Sequence, residues 1–158
     1  MSENCHSHRS PGDVPLASLR TDEIDFGFLS ATRFFFLSFS QNDQAAWMTA
    51  ILNADSFYPK PDSSEVMRKT LAVVQEMRMS RRSCFHFSNP RCKGCSAIVT
   101  QDERYLLQMF QHARTGRSSA MASCAMLLCE GNSTDRVIDA TVALARRFKV
   151  DSPETVTV

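Results

Sequence analysis

Four soft metal ligands fall within twelve residues in the middle of the chain, which reads Ser83-Cys84-Phe85-His86-Phe87-Ser88-Asn89-Pro90-Arg91-Cys92-Lys93-Gly94-Cys95. Cys92-Lys93-Gly94-Cys95 is a CxxC whose inner glycine permits a sharp turn, so that both sulfurs can point at one ion. Asn89-Pro90 is a turn signal that can fold Cys84 and His86 back over this knuckle. In an extended segment residues i and i+2 face the same side, so Cys84 and His86 are expected to supply the second pair of ligands. Cys84, His86, Cys92 and Cys95 then form a closed tetrahedral set that suits structural Zn²⁺.

Other assignments of the same thiols stay open. Cys124 is an alternative fourth ligand, because it lies on the apolar stripe Met121, Cys124, Ala125, Leu128 of a helical segment. Three or four thiolates also suit an iron–sulfur cluster, and spacing does not choose between the two. Cys129 lies five residues on, about 140° round the helix, and serves a different direction. The plain structural reading is of partly buried thiols in a loop, with His86 hydrogen-bonded and with Cys124 and Cys129 packed as small hydrophobes. A dithiol redox centre usually sits at a helix N-terminus after a strand; here Ser96-Ala97-Ile98-Val99 intervenes before the next capped helix, and no βαβ pattern is present. Cys5, His6 and His8 form a second Cys/His cluster that can bind metal, for which a disordered terminus is the plainer reading.

The elements that must hold the connector read as helices. Residues 1–22, broken by Pro11, Gly12 and Pro15, are expected to be a flexible arm. The aromatic block 26–39 places Leu29, Phe35, Phe36 and Phe39 on one helical face. Asp43 caps a helix to about Asn53, in which Trp47, Ala50, Ile51 and Ala54 recur at i, i+3, i+4 and i+7. Tyr58-Pro59-Lys60-Pro61 is a break, and Asp62-Ser63-Ser64-Glu65 has capping-box spacing for a helix ending near Arg81-Arg82. Thr100-Gln101-Asp102-Glu103 is a second capping box, before a helix that buries Leu106, Met109, Phe110 and Ala113 and closes at Gly116. Residues 118–130 are apolar nearly all round, which predicts a central helix. Asn132-Ser133 caps a last helix reaching Phe148. The expected architecture is all-α, about five helices in a compact bundle with a Cys-rich central connector, formed by a single domain over 23–150 and followed by a flexible tail over 151–158.

Composition limits the function classes. Of 158 residues 43% are hydrophobic, enough for a core, and only 5 Gly and 6 Pro argue against a loop-rich β sandwich. No run approaches the roughly 18 apolar residues of a membrane span, and no export signal is apparent, so a cytoplasmic protein with reduced thiols is expected. Charge is uneven: residues 1–66 hold four bases and nine acids, and residues 78–117 hold eight bases and two acids. This predicts either a partner-facing basic surface with Arg81, Arg82, Arg91 and Lys93, or charge complementarity within the fold. A protein partner is favoured over nucleic acid, since no recognition helix or aromatic nucleic-acid module is visible. No base, oxyanion donor set, phosphate loop or small-molecule site accompanies the thiols. The sequence therefore points to a non-enzymatic regulatory or adaptor protein, with a thiol or iron–sulfur redox sensor as the alternative.

Overall fold

Apolar periodicity and caps place the helices close to where the sequence puts them. The structure is a computed structural model that describes residues 10–58 and 62–151. It contains α1 (Glu23–Gln41), α2 (Gln44–Phe57), α3 (Ser63–Ser80), α4 (Lys93–Ser96), α5 (Gln101–Arg114), α6 (Ser118–Leu128) and α7 (Asp135–Ala145). The fold is all-α, with seven helices among the described residues rather than about five: each longer segment is its own helix, and the connector folds an additional turn, α4. The Pro59–Pro61 part of the expected break, the Cys5/His6/His8 cluster and the tail from residue 152 lie outside the described residues.

α1 and α5 form the centre. Eleven of the 19 residues of α1 are buried, and it packs against α2, α3 and α5. Phe28 of α1 stacks on Phe110 of α5 at 4.4 Å between ring centroids, joining the two central helices through an aromatic contact. The expectation that α6 would be central is overturned. It buries Met121, Cys124, Ala125 and Leu128 against α5 but leaves Met126 and Leu127 exposed, so it covers the core from one side. An apolar sequence permitted central burial; the aromatic volume of α1 occupies that place instead.

Residues 10–22, expected as part of a flexible arm, carry two devices that join the helices. Val14–Pro15 (β1) pairs antiparallel with Ile98–Val99 (β2), Val14 opposite Val99. Asp22 caps α1 in a reciprocal box with Asp25: the Asp25 N–H donates to Asp22 at 2.8 Å, and the Asp22 N–H to Asp25 at 3.3 Å. The Thr100/Glu103 box forms as the spacing predicts, and Asp43 caps α2. The box expected at Asp62 does not form. The Asp62 carboxylate is paired with Arg147, and Ser63 donates instead to Asp55 of α2. The last helix starts after Thr134, not after a side-chain cap at Asn132-Ser133.

Candidate functional site

A buried ion pair fixes the cysteine connector. Arg33 sits in the middle of an aromatic run, 3% exposed, and meets Glu103 of α5, which is fully buried, at 2.7 and 3.0 Å. Its remaining N–H groups donate to the carbonyls of Ser96 and Ile98 at 2.8 and 2.7 Å. Glu103 also accepts from the backbone N–H groups of Ser88 and Thr100 at 3.1 and 2.9 Å. Nearly every donor and acceptor of the pair is thus engaged, the condition under which a buried ion pair is tolerated. Phe85 stacks on Phe36 at 4.4 Å and Phe87 lies 5.7 Å from the same ring, so both aromatic side chains of the connector face the core.

With Phe85 and Phe87 inward, Cys84 and His86 face outward, as strand alternation requires, and open on different clefts, of which only that of His86 reaches the CxxC, at Cys95. Cys84 is exposed in a cleft of about 310 Å³ lined by Phe36, Phe39, Arg78 and Phe85. His86 opens on a separate cleft of about 400 Å³ shared with Ser10, Cys95 and Asp102. Its backbone N–H donates to Asp102 at 2.9 Å, and its Nδ1 lies 3.3 Å from the same carboxylate. Cys92 and Cys95 do come together, on one turn: Cys92 is the N-cap of α4 and its Sγ accepts the Cys95 N–H at 3.3 Å. Gly94 is not needed for that turn, since a Cβ there would meet nothing within 4 Å. Cys124 lies in the core on α6, where burial pushes its thiol pKa up and disfavours a thiolate. Among the described residues no three His, Cys, Asp or Glu side chains form a group that could hold a metal ion.

The basic residues divide in the same way. Arg81 is not presented to solvent. Its side chain is 5% exposed, and its guanidinium lies 3.1 Å from Asp102 and 3.2 Å from Glu130 and donates to the carbonyls of Leu128 and Cys84. Arg82, Arg91 and Lys93 are exposed, and Arg91 is paired with the α2 cap Asp43. That hydrogen bond and charge hold Asp43 below the usual carboxylate range. At the other end of α5, Arg114 binds Asp22 at 2.8 Å and Asp25 at 2.6 Å and donates to the Phe148 carbonyl. The basic segment 78–117 and the acidic residues 1–66 are therefore bridged at three places, counting the inverse pair Arg33–Glu103. Much of the uneven charge is complementarity inside the fold.

An exposed feature lies on α2, and its packing inverts the usual amphipathic logic. The expected face of Trp47, Ala50, Ile51 and Ala54 splits. Ala46, Ala50 and Ala54 are buried, while Trp47 (43% exposed), Met48 (52%), Ile51 (43%) and Leu52 (71%) point outward. The cause is close approach to α1: a Cβ on Gly27 would lie 2.8 Å from the Tyr58 hydroxyl and 2.9 Å from Phe57 Cβ, so only small side chains fit between the two helices. The large apolar residues of α2 are left on the surface together.

The sequence reading missed Arg33, Glu103, Arg114, Asp22 and Asp25 as organising residues. One signal was present: a lone arginine between Thr32 and Phe34-Phe35-Phe36 on an apolar face requires a buried partner. What folds is an all-α bundle with a connector pinned by a buried ion pair and one apolar helix face uncovered. No protein-family model, no curated protein and no solved structure matches the chain. Among the described residues no helix is long and apolar enough to cross a membrane.

Proposed function

We propose that this protein is a non-enzymatic helical adaptor that works by protein–protein contact through the outer face of α2, and that the first occupant of this face is a second copy of the chain. The observation that carries the reading is the inverted helix, with alanines inward and Trp47, Met48, Ile51 and Leu52 outward. Contiguous exposed apolar side chains of this size mark interaction surfaces, and a tryptophan amid aliphatic residues is the usual anchor of one. Charge selects the occupant. Residues 44–54 contain no Asp, Glu, Lys or Arg, so the face has no counter-charge for a charged ligand or nucleic acid. Two such faces pair about a two-fold axis without like-charge repulsion, and homodimer interfaces are the more apolar class.

A helix of 14 residues is about 21 Å long, shorter than the span of a standard interface of about 800 Å² per partner. The association is therefore weak and concentration-dependent. Exposed Arg82 and Lys93 stand on the connector and supply the basic surface of the adaptor, for an acidic protein segment. Sedimentation equilibrium over a concentration series tests the dimer. The wild-type chain is expected to move from one to two chains per particle as concentration rises, and Trp47→Glu and Leu52→Glu to remain monomeric with unchanged helical circular dichroism. A wild-type chain that stays monomeric at its solubility limit overturns the second-copy assignment.

A further inference from the structure

We infer that the cleft between the ends of α1 and α3 and the connector docks an acidic protein segment that carries a large apolar residue, whose side chain enters the cleft while the flanking carboxylates meet Arg78 and Arg82. The inference rests on the adaptor reading for the acidity of the partner, and not on the pairing of α2 faces.

The cleft forms where three elements end. The aromatic run of α1 extends past the core: Phe36 is buried, whereas Phe39, one turn on, is 38% exposed. Beside it, α3 carries Arg78 in its last turn, where a cation faces the negative end of the helix dipole. The connector then brings Phe85 and Phe87 against Phe36. These rings and Met77 leave a space of about 310 Å³, at the small end of the roughly 300–1,000 Å³ of ligand clefts. It suits a side chain or two of an extended segment.

Charge decides what enters. Arg78, Arg81 and Arg82 line the cleft, and no acidic residue does. Arg81 is already engaged by Asp102 and Glu130. Arg78 lies over the Phe39 ring at 4.0 Å and donates to the neutral Gln75 amide oxygen at 2.7 Å. That geometry uses the face of the guanidinium and one N–H, and leaves the rest of the planar fork to a carboxylate. Arg82 is exposed on the rim. Glu130 accepts its backbone N–H at 3.1 Å, but the charge of Glu130 is opposed by Arg81 at 3.2 Å.

The rings separate a protein segment from nucleic acid. Phe36 and Phe85 are stacked on each other, Arg81 lies over the Phe85 ring at 5.7 Å, and Arg78 covers Phe39. A nucleobase therefore finds little open ring face to stack on, whereas an inserted aliphatic or edge-on aromatic side chain needs none. Two exposed arginines around one apolar floor also call for carboxylates on both sides of the apolar group, which a peptide supplies and a simple fatty acid does not.

Fluorescence anisotropy of a fluorescein-labelled peptide, Asp-Glu-Asp-Phe-Leu-Glu-Asp-Glu, titrated with the full-length wild type and with Trp47→Glu, tests the site apart from any pairing of α2. Both chains are expected to bind it saturably, and less tightly as salt rises. Arg78→Glu/Arg82→Glu should weaken binding by about tenfold or more, and Arg146→Glu, a reversal outside the cleft, by less than about twofold. A peptide with Ser-Ser in place of Phe-Leu should not bind. Exposed Cys84 lines the cleft, so saturating peptide should slow its alkylation by iodoacetamide severalfold, read by mass spectrometry of wild type; this measurement decides the matter if the double reversal folds poorly. Undiminished binding by the folded double variant, equal binding of the Ser-Ser peptide, or an unchanged Cys84 rate overturns the inference. So does tighter binding of dodecanoate or of a thymidine oligonucleotide than of the peptide. A chain that dimerises but does not bind the peptide sinks this inference alone, whereas peptide binding by a chain that stays monomeric sinks only the second-copy assignment.

Discussion

Replacing Glu103 with alanine tests the claim that one buried pair holds the connector in place. The side chain is fully buried and makes two contacts to Arg33 and one to each of the N–H groups of Ser88 and Thr100. Removing one partner of a buried pair costs about 3–5 kcal/mol, because the surviving charge is left without its counter-ion. Arg33 keeps the Ser96 and Ile98 carbonyls, which hold the guanidinium without neutralising it. The orphaned Ser88 N–H adds about 1–3 kcal/mol, while Thr100 is half-buried and can turn to water. The expected loss for Glu103→Ala is therefore about 5 kcal/mol, a large share of the 5–15 kcal/mol by which domains are usually stable. Removing both charges together, in Arg33→Met/Glu103→Met, should recover about 2 kcal/mol or more of that loss, since no bare charge remains. Urea denaturation followed by circular dichroism is the assay, with the slope against denaturant required to stay constant so that midpoints compare stability. Fluorescence is the poorer probe, because the single tryptophan is Trp47 on the exposed face of α2. A Glu103→Ala midpoint shifted by less than about 1 kcal/mol, the range of a surface pair, would refute the argument. So would a double variant no more stable than the single one.

Two further outcomes follow from the packing and the charges. Gly27→Ala should destabilise by about 1–3 kcal/mol, because its Cβ would sit 2.8 Å from the Tyr58 hydroxyl and 2.9 Å from Phe57 Cβ; a stabilised variant in the same urea assay would show that α1 and α2 are not in close contact. Burial raises the Asp22 pKa, but the Arg114 hydrogen bond and charge and the Asp25 N–H outweigh it and leave Asp22 below its ordinary 3.8. Its contribution is then complete above pH 3.8 and lost as pH falls through the lower folded value. The stability advantage of wild type over Asp22→Asn should shrink on acidification below pH 3.8, and an advantage independent of pH there would contradict the Asp22–Arg114 linkage.

Local features were legible where a short-range rule decides them. Thr100 and Glu103 form their box because both partners lie within one helical turn, and Gly116 and Gly131 take positive φ at helix ends as their positions imply. The connector was recognisable as the place where thiols gather, and Cys92 and Cys95 meet because only two residues separate them. That Cys84 and His86 open on different clefts was not legible, since it depended on how Phe85 and Phe87 dock on Phe36, some fifty residues earlier in the chain. The α2 face failed for a related reason: periodicity grouped Trp47 and Ile51 with Ala50 and Ala54, but the stripe that turns inward was chosen by the space beside Gly27.

Sequence alone determined the helical class, most helix boundaries and the place of the cysteine connector, because hydrophobic period and caps act within a few residues. Tertiary structure decided which helix is central, which charges are partners and which apolar face stays uncovered. Those outcomes depend on volume and counter-charge supplied from distant segments: Arg33 needs Glu103, Arg114 needs Asp22 and Asp25, and the alanines of α2 need the narrow gap at Gly27.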